Sequence, residues 1–132
     1  MTRSQGLSHI AMSVPEGTLT DEYRAQVLDF YGSVFGWTEI EALRLPDRMT
    51  LAVGQRCYVN VRERTDSMTC TGYEHVGLLV ESPEAADAAW EQLDRDPREL
   101  QLAPIQRGED GYRNFRFRYL LPLAIEVQYF PA

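Results

Sequence analysis

Hydrophobic and polar residues alternate strictly in the segment HIAMSV, near the start of the chain. Ile10, Met12 and Val14 fall on one face of this segment, and His9 falls on the other. A period of two is typical of a strand that is buried on one side. The sequence therefore predicts a first strand with one apolar and one polar face, and it leaves His9 to be explained.

The next segment has helical spacing. Thr18 or Thr20 can cap the N-terminus of a helix, and Gly36 can supply the left-handed residue that ends it. The apolar residues between these limits recur every three or four positions, as a helix with one buried face requires. They are Tyr23, Val27, Phe30, Tyr31, Val34 and Phe35.

This order of elements occurs twice. The first helix is followed by three strand-like segments, TEIEAL, RMTLAV and CYVNVRE. The second half then offers the strand EHVGLLV, a helix capped by Ser82 with Pro83 in its first turn, and the strands LQLAPI, YRNFRFRYL and LAIEVQYF. We therefore predict an α+β fold in which one domain, residues 1–132, contains two βαβββ modules in tandem, at about 6–64 and 73–131.

The two halves match at a constant offset. Adding 66 to the residue number of His9 gives His75, and the same shift carries Asn60 to Glu126. The apolar neighbours of these residues match as well. Because a duplicated unit keeps the register of its strands, the four polar residues are predicted to occupy equivalent strand positions.

Composition narrows the function classes. The 132 residues are 44% hydrophobic, with a net charge of −7 that disfavours nucleic acid as a partner. The chain contains no lysine, which excludes a lysine nucleophile or Schiff base. No apolar run is long enough to span a membrane, and we expect a cytoplasmic protein. Cys57 and Cys70 have no metal-binding spacing and are given no role.

The four polar residues are candidate metal ligands. If each half curls its strands into part of a curved mixed sheet around a central cavity, His9, His75 and Glu126 can converge there, with Asn60 as a fourth position. Two imidazoles and a carboxylate suit a divalent ion, and iron, manganese, nickel, cobalt and zinc are not distinguished by this set. A bound ion would also neutralise a buried Glu126.

The whole chain resembles the vicinal oxygen chelate superfamily, which includes glyoxalases, bleomycin-resistance proteins and extradiol dioxygenases. The resemblance rests on LSHIAMSVP before VLDFYGSVFGW, on EHVGLLVESPEAADAAWEQL and on the terminal LAIEVQYF. It implies paired βαβββ modules around a metal, with ligands at His9, His75 and Glu126 and an optional ligand at Asn60. The chain departs from the family in the turn before Glu126, where YLLPLAIE replaces an Asp-Pro-Asp-Gly-like sequence.

The resemblance leaves several reactions open. Known extradiol dioxygenases need further histidines, whereas both histidines here are candidate ligands. Fosfomycin-type thiol transferases carry a threonine where Ala11 stands and a lysine that this chain lacks. Glyoxalase I has a glutamate in place of Asn60, and an asparagine cannot act as a base. An epimerase-like enzyme would need a separate carboxylate, for which the sequence offers Glu39, Glu41 and Glu63.

The expectation is a metal-dependent lyase, isomerase or oxygenase that binds a small substrate through two neighbouring oxygens. Tyr58, Arg62 and Tyr119 are candidates for orienting that substrate. The alternative is a non-catalytic, bleomycin-resistance-like protein that binds a drug or another small ligand. In either case the resemblance implies a homodimer.

Overall fold

The computed structural model describes all 132 residues, 1–132. The chain divides into two compact units, Met1–Met68 (unit 1) and Thr69–Ala132 (unit 2). Unit 1 contains β1 (His9–Val14), α1 (Asp21–Phe35), β2 (Thr38–Glu39), β3 (Arg48–Gly54) and β4 (Cys57–Glu63). Unit 2 contains β5 (His75–Leu79), α2 (Pro83–Asp94), β6 (Gln101–Leu102), β7 (Gln106–Arg107), β8 (Arg113–Arg118) and β9 (Ala124–Tyr129). The predicted α+β class and the repeated βαβββ order are confirmed.

Unit 1 is a mixed four-stranded sheet with the strand order β1-β4-β3-β2. β1 and β4 run parallel, and the other neighbours are antiparallel. Apolar residues at alternate strand positions are buried, as the period-two pattern requires. The buried set includes Met12, Val14, Met49, Leu51, Val59 and Val61.

Local signals fix both ends of α1. The Oγ1 of Thr20 accepts a hydrogen bond from the backbone N–H of Tyr23, at 3.1 Å, so Thr20 rather than Thr18 is the cap. Gly36 ends the helix with φ = 72°, a left-handed conformation that glycine adopts without a steric penalty. Beyond it, Trp37 stacks on Tyr31 with ring centroids 4.7 Å apart, which joins the end of the helix to the core.

Unit 2 repeats the arrangement with the order β5-β9-β8-β6, and β7 also pairs with β8. β5 and β9 are parallel, and β8 is antiparallel to β9. Ser82 caps α2 by accepting a hydrogen bond from the N–H of Ala85, and Pro83 lies in the first turn as predicted. Phe115 and Phe117 of β8 are buried together with Ile125 and Val127 of β9.

Strand register confirms the offset of 66. Ala11 pairs with Asn60 in unit 1, and Gly77 pairs with Glu126 in unit 2. Each member of the second pair has a residue number 66 higher than its counterpart. The unusual turn at YLLPLAIE therefore leaves Glu126 in the register that the repeat predicts.

Two strand predictions were too long. Only Thr38–Glu39 of TEIEAL is a strand, because a 3₁₀ turn at Glu41–Leu43 follows, in which the N–H of Leu43 donates to the carbonyl of Ile40. LQLAPI is a strand only at Gln101–Leu102, and the unpredicted β7 begins beyond Pro104. Proline cannot donate to a sheet ladder, which explains the interruption.

Neither helix is long and apolar enough to cross a lipid bilayer.

A buried arginine ties α1 to the loop before β3. The Arg24 guanidinium donates to the backbone carbonyls of Leu19, Leu45, Pro46 and Arg48, at distances from 2.6 to 3.3 Å. Its Nη1 also lies 3.6 Å from Oε2 of Glu39, and both side chains are almost fully buried. Glu39 in turn lies 3.4 Å from Arg44. A single side chain thus satisfies four carbonyls and neutralises a buried carboxylate.

We expect Arg24→Met to lower the free energy of unfolding by about 3 to 5 kcal/mol, because it leaves the buried Glu39 carboxylate with only the half-exposed Arg44 as a partner and removes the donors to the loop. Urea denaturation at neutral pH measures this change. Arg24→Met combined with Glu39→Gln should recover part of the loss, because it removes the unpaired charge. A loss below about 1 kcal/mol for the single variant, in the range of exposed ion pairs, would contradict this role.

Candidate metal centre

Unit 2 brings two predicted ligands into contact. Parallel pairing of β5 with β9 places His75 and Glu126 on the same side of the sheet, opposite the buried Val76 and Ile125. The Nε2 atom of His75 lies 3.1 Å from Oε2 of Glu126, and the side chains are 22% and 14% exposed. A nitrogen and an oxygen that can each bind a metal ion are therefore adjacent, and both side chains are largely shielded from solvent.

The backbone fixes the orientation of the His75 ring. Its Nδ1 lies 2.7 Å from the carbonyl oxygen of Tyr73. A carbonyl only accepts hydrogen bonds, so we assign the proton to Nδ1. The Nε2 lone pair then points at a carboxylate oxygen that is also an acceptor. This contact is favourable if a proton lies between the two atoms, on either side chain, or if His75 and Glu126 share a cation.

Tyr73 and Arg116 complete this cluster. The Nε atom of Arg116 is 4.0 Å from Oε1 of Glu126, the oxygen that does not face His75. The Arg116 guanidinium also lies over the ring of Tyr73, at 5.8 Å, and that ring meets His75 edge-on. We call Tyr73, His75, Arg116 and Glu126 the unit 2 cluster. It contains an acid, an imidazole and a fixed positive charge.

Sequence reasoning did not single out Arg116 or Tyr73 for this cluster. In the sequence, Arg116 is one of several arginines of the segment YRNFRFRYL, and nothing local distinguishes it. The signal that could have identified it is its register, because β8 pairs Arg116 with Glu126 just as β3 pairs Thr50 with Asn60. Adding 66 to 50 gives 116.

In unit 1, His9 occupies the equivalent position but has different contacts. Its ring stacks on Tyr58 of β4, with centroids 4.8 Å apart and planes within 5°. Its Nδ1 lies 2.8 Å from Oγ of Ser8. His9 is exposed, and these two contacts hold one face and one nitrogen of its ring. Neither the stacking on Tyr58 nor the contact with Ser8 involves the Nε2 atom of His9.

Asn60 makes a hydrogen bond of its own. Its Oδ1 accepts from Oγ1 of Thr50 at 2.7 Å, and Thr50 is fully buried. The carbonyl oxygen is the only atom through which an asparagine side chain binds a hard cation. That oxygen has two lone pairs, and the hydrogen bond from Thr50 uses one of them.

The remaining candidates have other partners. Arg62 is half exposed, and its Nη2 lies 3.6 Å from Asp47. Tyr119 lies under the guanidinium of Arg98, at 5.9 Å. Two of the three carboxylates considered as bases have structural contacts: Glu39 lies beside Arg24, and Glu63 accepts a hydrogen bond from the backbone of Leu19 at 2.7 Å. Glu41 is exposed in the 3₁₀ turn.

Open space borders the unit 2 cluster. A cleft of about 280 Å³ is lined by Glu126 and Arg116 together with Gln106 and Asn114. A larger cleft of about 430 Å³ in unit 1 is lined by Arg24, Arg44 and neighbouring residues, and none of the predicted ligands lines it. Of these two clefts, the one in unit 2 therefore adjoins a predicted ligand, Glu126.

The His75–Glu126 pair fits a divalent ion. The ring is oriented by a hydrogen bond from its other nitrogen, as is usual for metal-binding histidines, and Arg116 lies 4.0 Å from the second carboxylate oxygen. Neither unit gathers three His, Cys, Asp or Glu side chains that could hold a metal. Unit 2 therefore supplies two ligands, and an ion bound there needs others.

Sequence comparison finds no matching family model and no matching curated protein. Comparison with solved structures does find similar folds. The fosfomycin resistance protein FosX from Listeria monocytogenes, complexed with Mn(II) and sulfate, is 18% identical, with a TM-score of 0.70 over 98% of this chain and 93% of that one.

Two further structures are similar over nearly their whole length. A putative glyoxalase family protein from Bacillus anthracis is 17% identical, with a TM-score of 0.71 over 99% of both chains. Lactoylglutathione lyase from Agrobacterium tumefaciens is 18% identical, with a TM-score of 0.65 over 96% of this chain and 95% of that one. At these identities the likeness establishes the fold. The chain therefore has the fold of the vicinal oxygen chelate superfamily, which glyoxalases and bleomycin-resistance proteins share.

Proposed function

We propose that this protein is a divalent-metal-dependent enzyme that acts on a small substrate bound through two neighbouring oxygens. The observation that carries the proposal is the contact between Nε2 of His75 and Oε2 of Glu126. Two lone-pair donors face each other there, with the other ring nitrogen held by a carbonyl. A cation is the kind of group that such a pair accommodates.

His9 is the proposed third ligand. It stands at the position of unit 1 that corresponds to His75 under the offset of 66, and its Nδ1 is likewise engaged by a neighbour, Ser8. Asn60 stays an optional fourth ligand rather than a required one, because the hydrogen bond from Thr50 uses one of the two lone pairs of its carbonyl oxygen. The proposed set is therefore His9, His75 and Glu126, with open positions for substrate oxygens.

The roles of the other side chains follow from their contacts. A bound divalent ion supplies Lewis-acid stabilisation of negative charge on substrate oxygen. Arg116 lies 4.0 Å from the Glu126 oxygen that does not face His75, and the carbonyl of Tyr73 keeps the His75 proton on Nδ1. Tyr58, stacked on His9, limits rotation of that ring. Asn60 has no basic group, so any proton transfer requires a different side chain or the substrate itself.

The structural neighbours support this class without choosing a reaction. They include a protein complexed with Mn(II), a lactoylglutathione lyase and a glyoxalase/bleomycin resistance protein from Albidiferax ferrireducens. The last of these keeps a ligand-binding function as the second candidate. A chain that binds small molecules without a metal would use the same fold, so metal binding separates the two candidates.

We expect untagged protein to bind one Mn²⁺ per chain, as measured by the loss of the free-ion EPR signal. Removing one ligand should weaken binding at least about a hundredfold in His9→Ala, His75→Ala and Glu126→Ala. Glu81→Gln is the control for charge, because this exposed residue lies just after β5. Asn60→Ala should bind Mn²⁺ nearly as well as the wild type.

Two results would contradict the metalloenzyme proposal. One is wild-type protein that binds none of Mn²⁺, Fe²⁺, Co²⁺, Ni²⁺ and Zn²⁺. The other is retention of wild-type affinity in all three ligand variants. Circular dichroism of each variant, compared with Glu81→Gln, distinguishes loss of a ligand from loss of folding.

We also propose that the chain forms a homodimer that binds a small molecule. Tyr73, two residues before β5, is 75% exposed, Leu79, at the end of β5, is 65% exposed, and Phe130, after β9, is 48% exposed. Large apolar side chains on a surface are frequent at protein interfaces.

Light scattering at micromolar concentration should give twice the 15.1 kDa of one chain. Leu79→Asp should shift this mass toward the monomer, and a wild-type protein that is monomeric throughout would exclude the dimer.

A further inference from the structure

Two arginines of β8 line an open cleft in unit 2. Phe115 and Phe117 are buried, whereas Arg116 and Arg118 occupy the alternate positions and face the opposite side of the strand. The cleft has a volume of about 450 Å³. Its lining includes Thr71, Gly72, Gln101, Ala124 and the two arginines.

Arg118 lacks a partner that its position demands. Its Nη2 atom is buried and donates no hydrogen bond. Other arginines of unit 2 are paired: Arg113 lies 3.0 Å from Asp87, and Arg98 lies 2.6 Å from Asp96. A buried guanidinium nitrogen without an acceptor is unfavourable and therefore calls for an explanation. Arg118 lines the cleft, so a ligand that enters beside it can supply an acceptor once the side chain shifts to expose this nitrogen.

The acidic residues near the two arginines leave their donors available. The Glu74 carboxylate accepts hydrogen bonds from the N–H and the Oγ1 of Thr71, at 2.9 and 2.8 Å. Hydrogen bonds from its own backbone and from Thr71, with a smaller effect of the Arg118 charge, lower the pKa of Glu74. Glu126 approaches Arg116 only to 4.0 Å, beyond hydrogen-bond distance.

The cleft adjoins the unit 2 cluster. Ala124, which lines it, is the strand partner of His75. Arg116 lines both this cleft and the smaller one that contains Glu126. A molecule seated on the two arginines would therefore lie beside the proposed metal ligands. The net charge of the whole chain is −7, so two arginines without strong partners are a local feature rather than a reflection of composition.

We propose that Arg116 and Arg118 form an oxyanion-binding subsite, which takes a carboxylate, phosphate or phosphonate group of the substrate. A planar guanidinium donates two parallel hydrogen bonds to such a group, and a charge-assisted bond is about twice as strong as a neutral one. The substrate would thus be a small acid whose anionic end rests on β8. Its role as part of a substrate rests on the proposed function, whereas anion binding itself does not.

Arginine Nε–H signals in ¹H–¹⁵N NMR spectra test the subsite in metal-free protein. Inorganic phosphate is titrated in one arm and acetate in the other, at constant ionic strength and neutral pH. We expect saturable shifts of Arg116 and Arg118 with at least one anion, and the preferred anion identifies the chemical class. Arg118→Gln and Arg116→Gln should each weaken binding about tenfold.

Arg107→Gln is the matched control, since it removes one positive charge from the neighbouring β7 at an exposed position outside the cleft. It should leave phosphate binding unchanged. Shifts that do not saturate with either anion, or an equal loss in Arg107→Gln and Arg118→Gln, would overturn the subsite.

Mn²⁺ titration of the same variants keeps the two proposals separate. Arg118→Gln should bind Mn²⁺ like the wild type, because Arg118 does not contact Glu126. Anion binding without Mn²⁺ binding would support the subsite and contradict the metalloenzyme. Mn²⁺ binding without specific anion binding would support the metalloenzyme proposal and contradict the subsite.

Discussion

Parallel pairing between the first and last strands of each unit is the constraint on which the site depends. In a parallel pair the side chains of both strands share a face at a fixed register, so one residue on each strand is brought within reach of the other. β5 and β9 place the His75 ring against Glu126 in this way. β1 and β4 place His9 against Tyr58 by the same rule. The strand that runs antiparallel to the last one then places a further side chain beside it. In unit 1 this is Thr50 of β3, next to Asn60, and in unit 2 it is Arg116 of β8, next to Glu126.

The contact between His75 and Glu126 brings two hydrogen-bond acceptors face to face. With the Nδ1 proton committed to the Tyr73 carbonyl, the facing atoms of the two side chains are both acceptors. A proton or a cation between the two atoms makes the contact attractive. Arg116 stands at one oxygen of the carboxylate and leaves the other to His75.

The sequence contained most of the fold because its signals are local. Alternation in HIAMSV, the Thr20 and Ser82 caps, and Gly36 each act within a few residues, and the structure places them as expected. The offset of 66 extended these signals to strand register, which is why the pairing of Gly77 with Glu126 could be anticipated.

What the sequence could not supply were contacts between distant segments. Arg24 and Glu39 look like ordinary surface charges in the sequence, yet both are buried in one ion pair, and this pair accompanies the early end of β2. Arg116 is one of several arginines in YRNFRFRYL, and only its neighbours in β9 and at Tyr73 distinguish it from the others. Similarly, only the side-chain contacts show that Asn60 is already bonded to Thr50.

At equivalent positions, unit 1 has a neutral pair of side chains and unit 2 has a charged pair. The two units therefore differ in how these contacts respond to ionic strength. Thr50 and Asn60 share a hydrogen bond between uncharged groups, which dissolved ions scarcely weaken. Arg116 and Glu126 interact through full charges across 4.0 Å, and such an interaction is screened as ionic strength rises. A scaffold that is symmetric in its backbone therefore has one polar cluster that is insensitive to the surrounding electrolyte and one that is sensitive to it.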